Sequence, residues 1–137
     1  AELPMSTEIW GVGSPGVLPF SGYPWMVGTC LNDLSTTDGR YLQGSTGTNS
    51  WFAGGGTRYR SGAPTDVVSP DLAVYACVGS FNVTPTKKLV IGSDPGLAAD
   101  NRLWRGDICA VMALSASSTP EQMAAGVATM KKLFEIP

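Results

Sequence analysis

The sequence predicts an all-β fold closed by one short C-terminal helix, and three observations carry that prediction. Glycine (17 residues) and proline (10) are both abundant and follow no short fixed period, so the chain turns often and is not collagen-like. Between those turns, apolar residues fall in runs of strand length as far as residue 114. Beyond Thr119 the apolar period changes from that of a strand to that of a helix. Length and balance agree. The 137 residues suffice for one domain with a real core, taken as residues 1–137, and 43% hydrophobic with 15% charged residues is the composition of a folded chain.

Residues 8–12 form the first apolar run, which ends at Gly11-Val-Gly-Ser-Pro-Gly16. This stretch matches the GxGxxG turn of dinucleotide sites, but that turn must open a helix, and Pro15 and Pro19 occupy the segment where the helix would run. A meander comes next: residues 25–31 are nearly all apolar, residues 32–39 are polar and end in Asp-Gly, and residues 40–43 alternate. Residues 49–53 are a further strand candidate, joined through Gly54 to Gly56 to Thr57-Arg-Tyr-Arg as a second hairpin. In that last strand Thr57 and Tyr59 share one face while Arg58 and Arg60 share the other. Residues 72–79 are apolar on both faces, as a central strand covered on both sides would be, and residues 88–92 and 106–114 add two more strands. Thr119-Pro-Glu-Gln then supplies an N-cap hydroxyl, a proline at the first helical position and a glutamine placed to return the capping bond. Met123, Val127, Met130 and Phe134 make the apolar stripe of an amphipathic helix, which is expected to lie on a sheet edge or a barrel mouth.

Composition also excludes functions. Without a single histidine there is no Ser-His-Asp or Cys-His nucleophile and no imidazole metal site. Nine scattered Lys and Arg residues at a net charge of -2 form no basic stripe, so nucleic acid is not an expected partner. No apolar stretch reaches the length of a membrane span, and no signal-peptide pattern opens the chain, so membrane insertion is not expected and assembly in a reducing cytoplasm is. Cys30, Cys77 and Cys109 each sit in an apolar run without CxxC spacing and read as buried thiols in preference to a disulfide framework.

From residue 88 to residue 134 the order is a strand ending Ile91-Gly92-Ser93-Asp94, a polar loop, Arg102-Leu-Trp104-Arg-Gly106-Asp107-Ile108, a long apolar strand, Leu114-Ser115 and a short helix. This order resembles the C-terminal part of concanavalin A-like, laminin-G-like jelly rolls. The resemblance covers about a third of the chain, and residues 72–80 are similar to the central strand of that family, although the Asn-Gly hairpin that usually comes after it is absent. It implies an antiparallel β-sandwich of jelly-roll type. The chain is shorter than most members, which implies a strand missing or supplied by another subunit. Compact glycine-rich versions resemble receptor-binding domains of bacteriophage tail fibres and tailspikes. That likeness implies a homotrimeric fibre tip in the virion that attaches to a bacterial surface polysaccharide or lipopolysaccharide. Calcium accompanies such domains, and Asp94, Asp100, Asn101 and Asp107 would be its oxygen ligands; turn capping accounts for the same residues, and no cofactor is expected.

Sugar recognition needs flat apolar faces for the C–H side of a pyranose and planar hydrogen-bonding groups for its hydroxyls. The densest cluster of both runs from Tyr41 to Arg60, and the candidate ligand-binding residues are Tyr41, Trp51, Arg58, Tyr59 and Arg60. The arginine pair suits an acidic saccharide held bidentately. Core packing of the aromatics and a solvated arginine face are the alternatives. Glycoside cleavage needs two opposed carboxyl groups, and neither the four glutamates (Glu2, Glu8, Glu121, Glu135) nor the spacing of the aspartates marks such a pair, so no enzymatic activity is expected. The expected function is non-catalytic carbohydrate binding and adhesion. A structural or trimerisation domain of a virion, or an accessory module of a polysaccharide-degrading enzyme, are the rival readings.

Overall fold

A computed structural model describes residues 2–3, 8–29, 40–52, 56–79, 87–93 and 102–137. They form two antiparallel sheets and one helix. The strands are β1 (Glu2–Leu3), β2 (Glu8–Gly13), β3 (Trp25–Thr29), β4 (Arg40–Gln43), β5 (Thr57–Arg60), β6 (Ala63–Pro64), β7 (Ala73–Val78), β8 (Lys87–Ile91) and β9 (Ile108–Leu114), followed by α1 (Pro120–Leu133). One sheet has the order β1-β8-β3-β4 and the other β6-β5-β7-β2-β9. The expected β-sandwich with a C-terminal helix is therefore the fold.

Alternation along β2 and β7 builds the layers. Ile9, Tyr75 and Cys77 point at the four-stranded sheet and meet Met26, Val27 and Leu42 there. Trp10, Val12, Val74 and Ala76 point the other way and meet Met123 and Val127 of α1. β7 is buried along almost its whole length because it lies inside its sheet and is covered on both faces, as its sequence predicts. The helix stripe lies on this sheet face and not on an edge.

The glycines of the GxGxxG match serve close packing. A Cβ on Gly11 would come within 2.6 Å of Met26 Sδ from the facing sheet, and one on Gly13 within 2.3 Å of the Asp107 carbonyl oxygen. Gly16, at φ +73°, would approach the Arg105 carbonyl to 2.7 Å. Residues 13–16 and 105–107 thus cross backbone to backbone.

Three further expectations change. Residues 49–52 are not a ladder strand: Trp51 bridges to Gly44 while Ser50 bridges to Val67, so the segment spans from the end of β4 to the loop after β6. The hairpin partner of β5 lies after it in the chain: Arg60 pairs with Ala63 across a two-residue turn in which Ser61 (φ 50°) and Gly62 (φ 84°) both take positive φ, the geometry that matches strand twist. Of the thiols, Cys77 is buried but Cys109 is exposed, because Val12 faces Ala110 and Gly13 faces Ile108, which leaves Cys109 as the extra residue of a bulge. Cys30 lies outside the described residues.

Candidate functional site

The site arises from covering a sheet with one helix. Thr119 Oγ1 accepts from Gln122 N at 3.2 Å while Gln122 Oε1 accepts from Thr119 N at 2.9 Å, so the capping box forms as its sequence predicts and fixes where α1 begins. The start is also tied to the sheet. Glu8, fully buried, accepts hydrogen bonds from Ser118 N (2.6 Å), Ser118 Oγ (2.8 Å) and Trp10 Nε1. Midway along, Gly126 lets the helix down onto the Trp10 ring, where a Cβ would stand 2.8 Å from Cη2. An α-helix is about 10–12 Å wide, whereas five strands about 4.8 Å apart span roughly 19 Å, so a strip of sheet stays open on each side of α1.

Both strips are grooves. The larger, about 610 Å³, lies between α1 and the β5–β6 hairpin; Val78, Met123 and Val127 give it an apolar floor, and Tyr59, Ser61 and Lys131 stand along it. Its volume is that of a small-ligand site. The smaller, about 380 Å³, runs between α1 and β9, with Trp10, Met112 and Leu114 along it.

The sequence-predicted residues do not converge on one site. Tyr59 reaches the larger groove, half-buried on the helix side of β5. Arg58 and Arg60 do share the opposite face, but register places Arg58 beside Cys77 and Arg60 beside Tyr75, on the side turned toward the other sheet. Arg58 is buried, at 4% exposure, with its guanidinium donating to the Gly56 carbonyl at 3.2 Å, and half-buried Arg60 donates to the Val67 carbonyl at 3.1 Å. That face is not a solvated surface. Trp51 belongs to the core: it stacks on Trp104 with centroids 5.9 Å apart and meets Tyr75 edge-on at 5.0 Å. Tyr41 lies in β4 of the other sheet, and its side chain is outside the described residues.

Tyr75 closes that core. Its hydroxyl accepts from Ser69 N at 2.9 Å. Burial pushes its phenol above the ordinary tyrosine value, while the Ser69 hydrogen bond and Arg60 act the other way. Among the described residues no group of three or more His, Cys, Asp or Glu side chains is placed to hold a metal. Of the calcium candidates only Asp107 is described; its carboxylate accepts from Ser14 Oγ at 3.4 Å, and residues 94, 100 and 101 lie outside the described residues. No helix among the described residues is long and apolar enough to cross a membrane.

Sequence reasoning missed Glu8, Ser61 and Lys131. Glu8 carried a signal, a carboxylate at the head of an apolar run, whereas Ser61 and Lys131 meet only through the docking of α1. Comparison with known proteins adds nothing to the geometry: no family model matches the chain, and no curated protein and no solved structure matches it significantly.

Proposed function

We propose that this domain is a non-catalytic carbohydrate-binding module whose saccharide lies in the groove between α1 and the β5–β6 hairpin. The observation that supports this reading is the pairing, along one 610 Å³ groove, of a half-buried tyrosine ring with hydroxyl and ammonium groups over an apolar floor. Tyr59 would stack on the C–H face of a pyranose, Ser61 would take ring hydroxyls, and Lys131 would favour an acidic sugar. This keeps Tyr59 from the sequence-predicted set and transfers the cationic role from Arg58 and Arg60 to Lys131. The resemblance to concanavalin A-like domains of phage tail fibres supplies the ligand class, a bacterial surface polysaccharide or lipopolysaccharide, and the setting, host attachment from the virion. Weak individual sites would act together when several copies are presented at once.

Binding to bacteria with and without their surface polysaccharide, alongside a glycan array, tests this. The intact domain should bind only polysaccharide-bearing cells, and Tyr59→Ala should weaken binding about tenfold, the worth of one aromatic stacking contact, with an unchanged circular dichroism spectrum at the assay temperature although loss of the ring's packing against the helix-side core lowers the melting point. Lack of binding to every acidic and neutral glycan, or full binding by Tyr59→Ala, overturns the proposal.

A further inference from the structure

The five-stranded sheet ends in two very different edges. At one, β6 is two residues long and includes Pro64, the kind of short, proline-bearing edge that resists pairing. At the other, β9 is seven residues, Ile-Cys-Ala-Val-Met-Ala-Leu, with no proline, glycine or charge. Its inner side pairs with β2 from Ile108 to Leu114, and no hydrogen bond reaches its outer side from any other described residue. Six of its side chains are half-buried and Cys109 is exposed, so apolar surface remains open on both faces of the strand. Such an edge is a template for another strand, because its outward N–H and C=O groups need partners that only extended backbone supplies in register.

We infer that β9 pairs antiparallel with β9 of a second copy of this chain, joining two five-stranded sheets into one continuous sheet. Self-pairing suits this strand. It carries no charge, so nothing repels across a twofold axis. Turned about its middle residue, Val111, the regular part of the strand beyond the Cys109 bulge sets Ala110 opposite Met112, small against large, both on the helix face. On the helix side, the incoming strand's alternate side chains fall beside the 380 Å³ groove, whose Trp10, Met112 and Leu114 lining lacks a covering layer among the described residues. Among the described residues each copy has one such long, uncharged edge, so the association closes at two. A twofold dimer thus takes the place of the threefold assembly expected from the resemblance, and the inference stands independently of any sugar.

Sedimentation equilibrium of the whole chain tests it, with a dimer of twice 14.3 kDa expected at micromolar concentration. Cys109→Lys puts a charge on the edge at its one exposed position, and should weaken association about tenfold with an unchanged circular dichroism spectrum. Cys109→Ser should remain dimeric. Amide exchange of the unsubstituted chain gives a second reading that no variant's folding can spoil: residues 108–114 should gain protection as concentration rises. A monomer, a trimer, or β9 amides whose exchange is independent of concentration overturns the inference.

Discussion

The two faces of the five-stranded sheet are closed by different means. Toward the other sheet, Ile9, Tyr75 and Cys77 meet Met26, Val27 and Leu42, with Gly11 allowing close approach, and the layer is sealed by a second sheet of comparable width. Toward solvent, the same strands present Trp10, Val12, Val74 and Ala76 to a single helix. A sheet covers a sheet, whereas one helix covers only part of it, and the uncovered strips become grooves. The sealed face is therefore where stability resides without ligand access. The half-covered face must hold its helix by a few strong attachments, and it is where a ligand can enter.

Those attachments are the place to break the comparison. Trp10→Ala removes the ring on which Gly126 rests and one donor to the Glu8 carboxylate, and should cost about 3–5 kcal/mol in urea unfolding, the range for a buried aromatic truncated to alanine. A cost below about 1 kcal/mol would mean that the helix is an accessory layer. Glu8→Gln keeps shape but places an NH₂ group among three donors, Ser118 N, Ser118 Oγ and Trp10 Nε1, and should cost about 1–3 kcal/mol. Loss of helical circular dichroism ahead of the main transition would locate that loss at α1. On the sealed face, Tyr75→Phe should cost about 1 kcal/mol at neutral pH through the lost Ser69 partner. It should also flatten the alkaline end of the stability profile. Burial raises the Tyr75 pKa, so the folded state keeps its proton where the unfolded state gives it up, and this contribution to stability falls away only as pH rises beyond the ordinary tyrosine value near 10. An unchanged slope of melting temperature against pH in Tyr75→Phe would show that other groups govern the alkaline transition.

The sequence was informative wherever a signal was local. The capping box at Thr119 and Gln122, the Met123-Val127-Met130-Phe134 stripe and the doubly apolar β7 each derive from spacing within a few residues. Arg58 and Arg60 show the limit of that reasoning. Alternation says that two residues share a face but not which way the face turns, and here it turns inward; their long side chains reach the loop carbonyls of Gly56 and Val67. Trp51 illustrates the same limit, since only the crossing of residues 50–51 from the end of β4 to the loop after β6 brings its ring into the core. The groove itself was hidden because its walls, Tyr59 and Lys131, are brought together by the seating of a helix some sixty residues further along.

The position of β2 has a consequence for how the polypeptide is made. It is translated before both of its neighbours in the sheet, β7 and β9, whose last residues are Val78 and Leu114. Such distant pairing makes for slow closure, and a ribosome must deliver the chain as far as Leu114 before this strand has both neighbours. Nascent chains arrested before Ile108 has left the exit tunnel should therefore be cut readily by protease, and those released beyond Leu133 should resist it.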